Sequence, residues 1–271
     1  MLRLKATIFF LLFVIYPAQG FAVNFYDGAR APQGLYFLTY TSFYYADEAT
    51  DSKAKTSKTD YEYAKFEELL RLCYYTPDLV LTAFLPAGYV HSGYYDVSSG
   101  GIGDINLGAG HFLPVKQADI LPMLFIKLPT GEYDSGKRVN YGTNQYDIKP
   151  CLFLYKAIGK FSIDAAAKYY FKTENPGTKV TPGDELYLQL LCGWKISKAC
   201  KAGPSFNWMK SENQKTDGAE TRRSRKESFS LGGDLYLRLP IFSLTLTYLR
   251  DIRTKNTTKG DFFQIKTVRK F

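Results

Sequence analysis

Hydrophobic and polar positions alternate with a period of two residues over long stretches of this chain. Over residues 161–171, one face carries Phe161, Ile163, Ala165, Ala167, Tyr169 and Phe171, and the other carries Ser162, Asp164, Ala166, Lys168 and Tyr170. The same division recurs over 184–196 and 229–239. Because successive side chains of a β-strand point to opposite faces, the pattern predicts strands with one apolar and one polar face.

Clusters of turn-forming residues divide the chain into twelve predicted strands. These are 34–46, 60–75, 79–91, 102–113, 119–129, 144–156, 160–172, 183–196, 199–210, 227–239, 241–254 and 260–271. A tilted strand needs about nine to eleven residues to cross a bilayer, and strands of soluble proteins usually have about five or six. The length of the predicted strands therefore indicates that they span a membrane.

The gaps between these strands alternate in length. Longer segments at 47–59, 92–101, 130–143, 173–182 and 211–226 are separated by short turns near 76–78, 114–118, 157–159, 197–198 and Pro240, and a moderate gap follows at 255–259. Bacterial outer-membrane barrels have short turns at the periplasmic end and longer loops outside. The sequence therefore predicts an all-β fold, a transmembrane antiparallel up-and-down barrel of about twelve strands around a polar interior.

The N-terminus has the layout of an export signal. Arg3 and Lys5 precede an apolar run over 8–16, and small residues at Ala18 and Gly20 mark a cleavage site. The run is about half of the roughly 20 residues that a membrane-spanning helix needs, so a short membrane anchor is the weaker alternative. We expect a signal peptide over 1–20, an outer-membrane barrel over 21–271, and a location in the outer membrane of a Gram-negative bacterium.

Composition and charge are consistent with this location. The 271 residues include 22 Tyr and 20 Phe, and aromatic side chains are enriched where a membrane meets water. The formal net charge of +9 is spread among acidic residues, and the one dense basic run, 222–226, falls in a predicted loop. No nucleic-acid recognition motif accompanies it, so we expect no nucleic-acid partner.

Charged residues recur on the predicted inward face. Those expected to line the lumen are Lys127, Asp147, Lys149, Asp164, Lys168, Glu185, Asp234 and Arg238. If they pair, they close the interior with ion pairs, and if they do not, they line a wet channel. A twelve-stranded barrel falls between filled eight-stranded barrels and open porins, so we expect a narrow or partly plugged lumen.

Cysteine and histidine offer little chemistry. The four cysteines have no metal-ligand spacing, and we expect no metal and no cofactor. Cys192 and Cys200 flank a predicted turn; a hairpin centred on Ile196 permits a disulfide between them, and a one-residue register shift abolishes it. His91 precedes an outer loop that contains Ser98 and Ser99, which leaves a lipid hydrolase at the rim as a minor hypothesis. We expect a protein that is not an enzyme.

Short motifs along residues 34–271 resemble those of the outer-membrane transporter family named for the meta-pathway of phenol degradation. They are GIGDINLGAGHFLP at 101–114, KLPTGEYD at 127–134, NYGTNQYD at 140–147, PGDEL at 182–186, YLRD at 248–251 and the closing VRKF at 268–271. His111 and Arg269 depart from the family pattern, which has aromatic residues there. The resemblance implies an outer-membrane channel, with some members linked to uptake of aromatic or apolar compounds, and it implies no particular substrate.

The KLPTGEYD and NYGTNQYD segments have two readings. Their Pro, Gly, Asp and Asn residues suit a structural element that ends a long strand at the rim. The alternative is a loop that binds a ligand. A terminal aromatic on an amphipathic last strand resembles the signal that barrel-assembly machinery reads, and this makes Phe271 the expected contact with that partner.

Three functional hypotheses follow. The first is a monomeric channel in outer-membrane lipid for passive passage of a small solute, apolar or aromatic compounds included. The second is a non-conducting structural or interaction barrel that presents its outer loops to partners. The third is the lipid hydrolase at the rim, with His91 as its base.

Overall fold

The computed structural model describes residues 22–93 and 95–271, so the expected signal peptide and its cleavage site after Gly20 lie outside the described residues. The first eight strands are β1 (Gly34–Thr50), β2 (Thr56–Tyr75), β3 (Leu79–Ser92), β4 (Val97–Ile102), β5 (Asn106–His111), β6 (Asp119–Lys127), β7 (Asp147–Ile158) and β8 (Phe161–Lys172). They are followed by β9 (Val180–Thr181), β10 (Glu185–Lys195), β11 (Cys200–Ser211), β12 (Lys215–Thr216), β13 (Ala219–Glu220), β14 (Glu227–Arg238), β15 (Ser243–Lys255) and β16 (Thr258–Lys270).

The strands close into one barrel. The wall strands pair antiparallel in the order β1, β2, β3, β5, β6, β7, β8, β10, β11, β14, β15, β16, and β1 pairs with both β2 and β16, which leaves no open edge. β4 and β5 both pair with β3 and are two halves of one barrel strand, whereas β9, β12 and β13 form a small sheet in the outer loops. The fold is therefore a closed antiparallel barrel of twelve strands, as the sequence predicted.

The two faces of the barrel wall differ as the alternation predicted. Along β8, Ser162, Asp164 and Ala166 are buried inside the barrel, while Phe161 and Phe171 are exposed on the outside. Outward leucines and isoleucines recur on the other strands, for example Leu72, Leu81, Leu107, Leu124, Ile148 and Ile265. These side chains form the apolar band that faces lipid. Among the described residues, no helix has the length and apolar character needed to cross a membrane.

The gap lengths depart from the prediction in two places. β1 and β2 extend well beyond their predicted ends, so that only 51–55 separate them. The third gap shrinks to 93–96, which is shorter than the fourth gap at 112–118, and the eleventh shrinks to 256–257, which is shorter than the tenth at 239–242. The expected alternation therefore fails there, because cross-strand pairs such as Ser92 with Val97 and Glu48 with Lys259 continue the ladders beyond the predicted strand ends.

The interruption between β4 and β5 shapes the interior. It lies beside Pro86, which has no N–H to donate, and the Pro86 carbonyl instead accepts a hydrogen bond from Gly103 N at 2.8 Å. The strand bends here, and Asp104 is buried inside the barrel. The break therefore delivers a carboxylate to the lumen.

Residues 22–33, called the plug below, fold into the barrel instead of remaining outside it. Val23 is fully buried and Phe25 is 2 % exposed. Both belong to an apolar cluster with interior side chains of the wall, including Phe112, Leu121 and Leu191. The sequence predicted a polar interior. Part of the interior is apolar instead, because the plug contributes apolar side chains to it.

Candidate functional site

The plug is attached to the wall by hydrogen bonds between buried groups. Asn24 Nδ2 donates to Asp234 Oδ2 at 3.0 Å and to Thr247 Oγ1 at 2.9 Å. The backbone N–H of Tyr26 donates to Asp164 Oδ1 at 2.6 Å. Charged acceptors strengthen such bonds, so these contacts fix the plug in one position.

A cation from the wall holds the aromatic part of the plug. Lys201 Nζ lies 4.4 Å from the ring centroids of both Phe25 and Tyr26, and 3.7 Å from Asp164 Oδ2. It reaches them across Gly193 of β10, where an added Cβ would lie 2.3 Å from Lys201 Cε and 2.5 Å from Phe25 Cε1. The missing side chain of Gly193 is what allows the ammonium group to reach the plug.

The far end of the plug is fastened to the short turns. Arg30 donates to the carbonyls of Pro77 and Leu113 and pairs with Asp78 at 3.3 Å and Asp119 at 3.4 Å. Deeper in the barrel, Asp27 forms an ion pair with Lys266. The plug is thus held along its length by wall strands and by the short-turn end.

The family-like motifs meet at one carboxylate. Asp104 accepts hydrogen bonds from the backbone N–H of Gly131 and of Thr143, each at 2.9 Å, and from the Thr143 hydroxyl at 2.5 Å. Lys127 Nζ lies 3.8 Å from the same carboxylate and 3.0 Å from Asp147. Asp104 therefore folds the 128–146 loop inward over the lumen.

The inward loop also contacts a wall strand outside its own hairpin. The Tyr141 hydroxyl donates to Glu67 Oε2 of β2 at 2.6 Å, and Lys65 pairs with the same carboxylate at 2.7 Å. Burial, together with the neighbouring Glu67 carboxylate, raises the pKa of Tyr141, so the hydroxyl keeps its proton and remains a donor. These contacts make the loop a structural element, as the first interpretation of its motifs has it, and ligand binding by the loop stays a prediction.

An outer vestibule lies at the long-loop end. Its cavity has a volume of about 390 Å³ and is lined by loop residues with Lys127, Lys172, Glu185 and Lys226 of the wall. Lys172 pairs with Glu185 at 3.0 Å, as Lys127 does with Asp147. Most of the wall charges at this level are therefore compensated by a neighbouring strand.

A smaller central chamber lies between the plug and strands β1–β8, with a volume of about 180 Å³. It is lined by Ala22, Asp27, Tyr40, Leu69, Arg71, Phe84, Asn106, Met123, Phe125, Lys149, Cys151, Phe153, Lys168 and Tyr170. On the other side of the plug, Tyr26 lines a mouth of about 360 Å³ together with Tyr155, Tyr236 and Arg238. The plug thus separates the central chamber from the mouth.

All eight residues expected to line the lumen lie inside the barrel or at its mouth. Lys127, Asp147 and Glu185 lie at or beside the vestibule, Lys149 and Lys168 line the central chamber, Asp164 and Asp234 bind the plug, and Arg238 lines the mouth. Their part in transport stays a prediction.

The disulfide considered between Cys192 and Cys200 is absent. Both thiols are free, and the register pairs Trp194 with Ala202 and Lys195 with Lys201. This centres the hairpin on Lys198 rather than Ile196, so that Cys200 bonds back to Ile196 through its carbonyl and Cys192 lies farther along the ladder. The two-residue shift separates the sulfur atoms.

His91, at the rim, has one of the two contacts that a catalytic histidine makes. His91 Nδ1 lies 2.9 Å from Ser98 Oγ across the β3–β4 ladder. Within residues 22–93 and 95–271, no carboxylate or amide orients the other ring nitrogen, a role that hydrolytic serine–histidine pairs require. The geometry gives the hydrolase hypothesis no further support.

Sequence reasoning did not identify the plug or the role of Gly193. The partners of the plug lie far along the chain, 210 residues away for Asn24 and Asp234. The one local signal at position 193 was the glycine itself. A glycine inside a predicted strand marks a place where backbone or side chains approach closely.

Comparison with known proteins gives a consistent family and fold. Residues 35–267 match the model of the family described as "Putative MetA-pathway of phenol degradation". A search of curated proteins found no match.

Solved structures with a similar fold are outer-membrane barrels. An outer membrane channel from Pseudomonas putida F1 superposes with a TM-score of 0.85 at 19% identity, covering 92% of this chain and all of that one. The β domain of the Bordetella autotransporter BrkA gives 0.52 at 12% identity, covering 89% and 100%. The NanC porin gives 0.51 at 9% identity, covering 85% and 100%. At these identities the likeness concerns the fold alone.

Proposed function

This chain belongs to the family of the MetA-pathway of phenol degradation, and from that membership and the geometry of its lumen we propose that it is an outer-membrane channel for small molecules. It acts by passive passage, without a chemical step or cofactor. It resides as a monomer in the outer membrane of a Gram-negative bacterium, after removal of its signal peptide. Apolar or aromatic compounds are among its solutes.

The observation that carries this proposal is the series of cavities along the barrel axis. The vestibule of about 390 Å³ lies above the central chamber of about 180 Å³, and plug residues line both that chamber, with Asp27, and the mouth, with Tyr26. A barrel with a purely structural role has no need of a cavity that is lined by charges and rings. Displacement of a short terminal segment, rather than of a wall strand, is enough to connect the cavities.

The experiment compares the mature protein with a variant that lacks residues 22–33, both refolded and recorded in planar bilayers. We expect small conductance steps from the mature protein and larger ones from the variant. A matched control replaces residues 51–55, the turn between β1 and β2, with Asn-Gly, which suits a two-residue hairpin. This control changes a surface turn and leaves the conductance unchanged.

The interaction barrel is the competing function, and one observation favours it. The plug and the ion pairs occupy much of the interior. If neither the mature protein nor the plug deletion conducts, and if neither admits small solutes to liposomes, the channel proposal is wrong and the interaction barrel replaces it.

A further inference from the structure

The central chamber has an excess of cationic groups and an aromatic lining. Arg71, Lys149 and Lys168 supply three cations, and Asp27, the acidic side chain in this lining, is already bound to Lys266. We propose that the chamber binds a small organic anion, a carboxylate joined to an aromatic ring or a similarly compact apolar body. The inference rests on the proposed channel function and names the class of solute that the channel selects.

Arg71 has donors that the protein leaves unused. Its Nε donates to Thr82 Oγ1 at 3.0 Å and its Nη1 to the Tyr40 hydroxyl at 3.1 Å. A guanidinium group carries five N–H donors in a planar fork that matches a carboxylate. In the part of the chain that the structure describes, no carboxylate forms an ion pair with Arg71. The remaining donors are therefore available to an anionic solute.

Arg71 is also held at a fixed position by stacking. Its guanidinium carbon lies 4.5 Å from the centroid of the Phe84 ring, and Phe84 in turn lies 5.6 Å from Phe125, centroid to centroid. Two hydroxyl acceptors and one ring thus orient the fork before any solute arrives. Such preorganisation lowers the entropic cost of binding.

Two ammonium groups reinforce the preference for an anion. Lys149 Nζ donates to Asn106 Oδ1 at 2.8 Å and lies 4.9 Å from the centroid of Tyr170, with Asp147 at 3.8 Å. Lys168 Nζ lies 5.6 Å from the centroid of Phe153. The ring face does not neutralise the charge of Lys149, and its carboxylate partner Asp147 lies closer to Lys127, at 3.0 Å. The vestibule differs, since Lys127 and Lys172 there have carboxylates at 3.0 Å.

The volume of the chamber and its apolar lining indicate the size and character of the uncharged part of the solute. A cavity of roughly 150 Å³ lined by apolar side chains accommodates one benzene molecule. The chamber has about 180 Å³, and Leu69, Phe84, Met123, Phe125 and Phe153 form its apolar surfaces. It therefore accommodates one ring with a single small acid group. An inorganic anion would leave the rings without contacts, and a neutral ring would leave the Arg71 donors unpaired.

The test is isothermal titration calorimetry on the mature protein in detergent, with three probes at neutral pH. Benzoate has both ring and charge, phenol has the ring without the charge, and acetate has the charge without the ring. We expect benzoate to bind more tightly than either of the others. Arg71→Gln should weaken benzoate binding by about tenfold, the loss of one good charge-assisted hydrogen bond, and leave phenol unchanged.

The matched control is Arg222→Gln, which removes the same charge from an exposed position in an outer loop. It should leave benzoate binding unchanged. If Arg71→Gln does not refold, judged by heat-modifiable electrophoretic mobility, Lys149→Gln tests the same site from another strand and should also weaken benzoate selectively.

The outcomes separate this inference from the channel function. Equal affinity for benzoate and phenol, or equal losses in Arg71→Gln and Arg222→Gln, would overturn the anion site while bilayer conductance still supports a channel. Benzoate binding that depends on Arg71, in a protein that never conducts even without its plug, supports the site and overturns the channel.

Discussion

The backbone N–H of Tyr26 donates a hydrogen bond of 2.6 Å to Asp164 Oδ1, and this bond joins the plug to the middle of β8. The same carboxylate lies 3.7 Å from Lys201, which in turn contacts the Tyr26 ring at 4.4 Å. One wall carboxylate thus holds both the backbone and, through Lys201, the side chain of the same plug residue. The position of the plug depends on this three-residue arrangement.

Asp164→Ala should therefore release the plug. The substitution leaves a buried amide without its acceptor, at a cost of about 1–3 kcal/mol in the free energy of docking. Proteolysis follows the population of the open form, and each 1.4 kcal/mol corresponds to about a tenfold change in it. Trypsin should cleave after Arg30 about tenfold faster or more, as followed by mass spectrometry. Glu212→Ala, which breaks an exposed pair with Arg225, serves as the control. Equal cleavage rates in both variants would show that Asp164 does not hold the plug.

Gly193→Leu tests the space through which Lys201 reaches the plug. A Cβ at this position would lie 2.5 Å from Phe25 Cε1 and 2.7 Å from Ser162 Oγ, so a larger side chain must displace the plug or Lys201. We expect faster trypsin cleavage after Arg30 and a larger single-channel conductance than in the parent protein. Gly136→Ala in the inward loop, whose nearest neighbour is a side-chain oxygen at 3.2 Å, should change neither measurement. A plug that stays protected in Gly193→Leu would contradict this account.

Asp104→Ala should loosen the inward loop. It removes the acceptor of two backbone N–H groups and of one hydroxyl, and it leaves Lys127 with Asp147 as its remaining carboxylate partner. Buried donors without partners cost about 1–3 kcal/mol each, so the 128–146 loop should leave the lumen for part of the time. Trypsin should then cleave at Lys137 or Arg138 more rapidly. Glu174→Ala, in another outer loop, removes an exposed pair with Lys179 and should have no effect on that cleavage. If Asp104→Ala leaves the rate of cleavage in the loop unchanged, Asp104 does not hold the loop over the lumen.

The two cysteines beside the β10–β11 turn should both react as free thiols. The register separates Cys192 from Cys200, and neither has a disulfide partner in the described chain. Alkylation of the unfolded protein without reductant, followed by mass mapping, should label both residues to the same extent as in a reduced sample. A crosslinked peptide pair in the unreduced sample would show that the hairpin adopts the other register.

The fold was predictable where the physics is local. Period-two alternation identified β8 and its neighbours within a few residues, because each outward side chain of a membrane strand must be apolar. Strand ends were less predictable, since polar segments such as 47–59 continue pairing above the membrane where no lipid selects their composition.

The site was predictable only in part. Inward charges such as Lys149 and Asp164 followed from the alternation, because a polar residue opposite an apolar face must point inward. The plug was not predictable, since its bonds join residues as distant as Asn24 and Thr247, and no local pattern encodes such pairs. The register of the β10–β11 hairpin was likewise not predictable. The turn centred on Lys198 determines it, and the alternation along the strands is the same for this register and for the one centred on Ile196.

Phe271 is expected to contact the barrel-assembly machinery, and this expectation can be tested. Its backbone N–H donates to Leu35 O at 2.9 Å, which any residue can do, while its side chain is 66% exposed at the rim. Phe271→Ala therefore changes an exposed side chain and should alter the free energy of unfolding by no more than about 0.5 kcal/mol. The refolded protein should keep its heat-modifiable mobility and its conductance, whereas the amount assembled in the outer membrane of cells should fall. Leu35→Ala, which removes an apolar side chain that is 42% exposed at the same rim, is the matched control. If both variants assemble equally well, or equally badly, the terminal ring is a lipid contact like its neighbour and not a recognition signal.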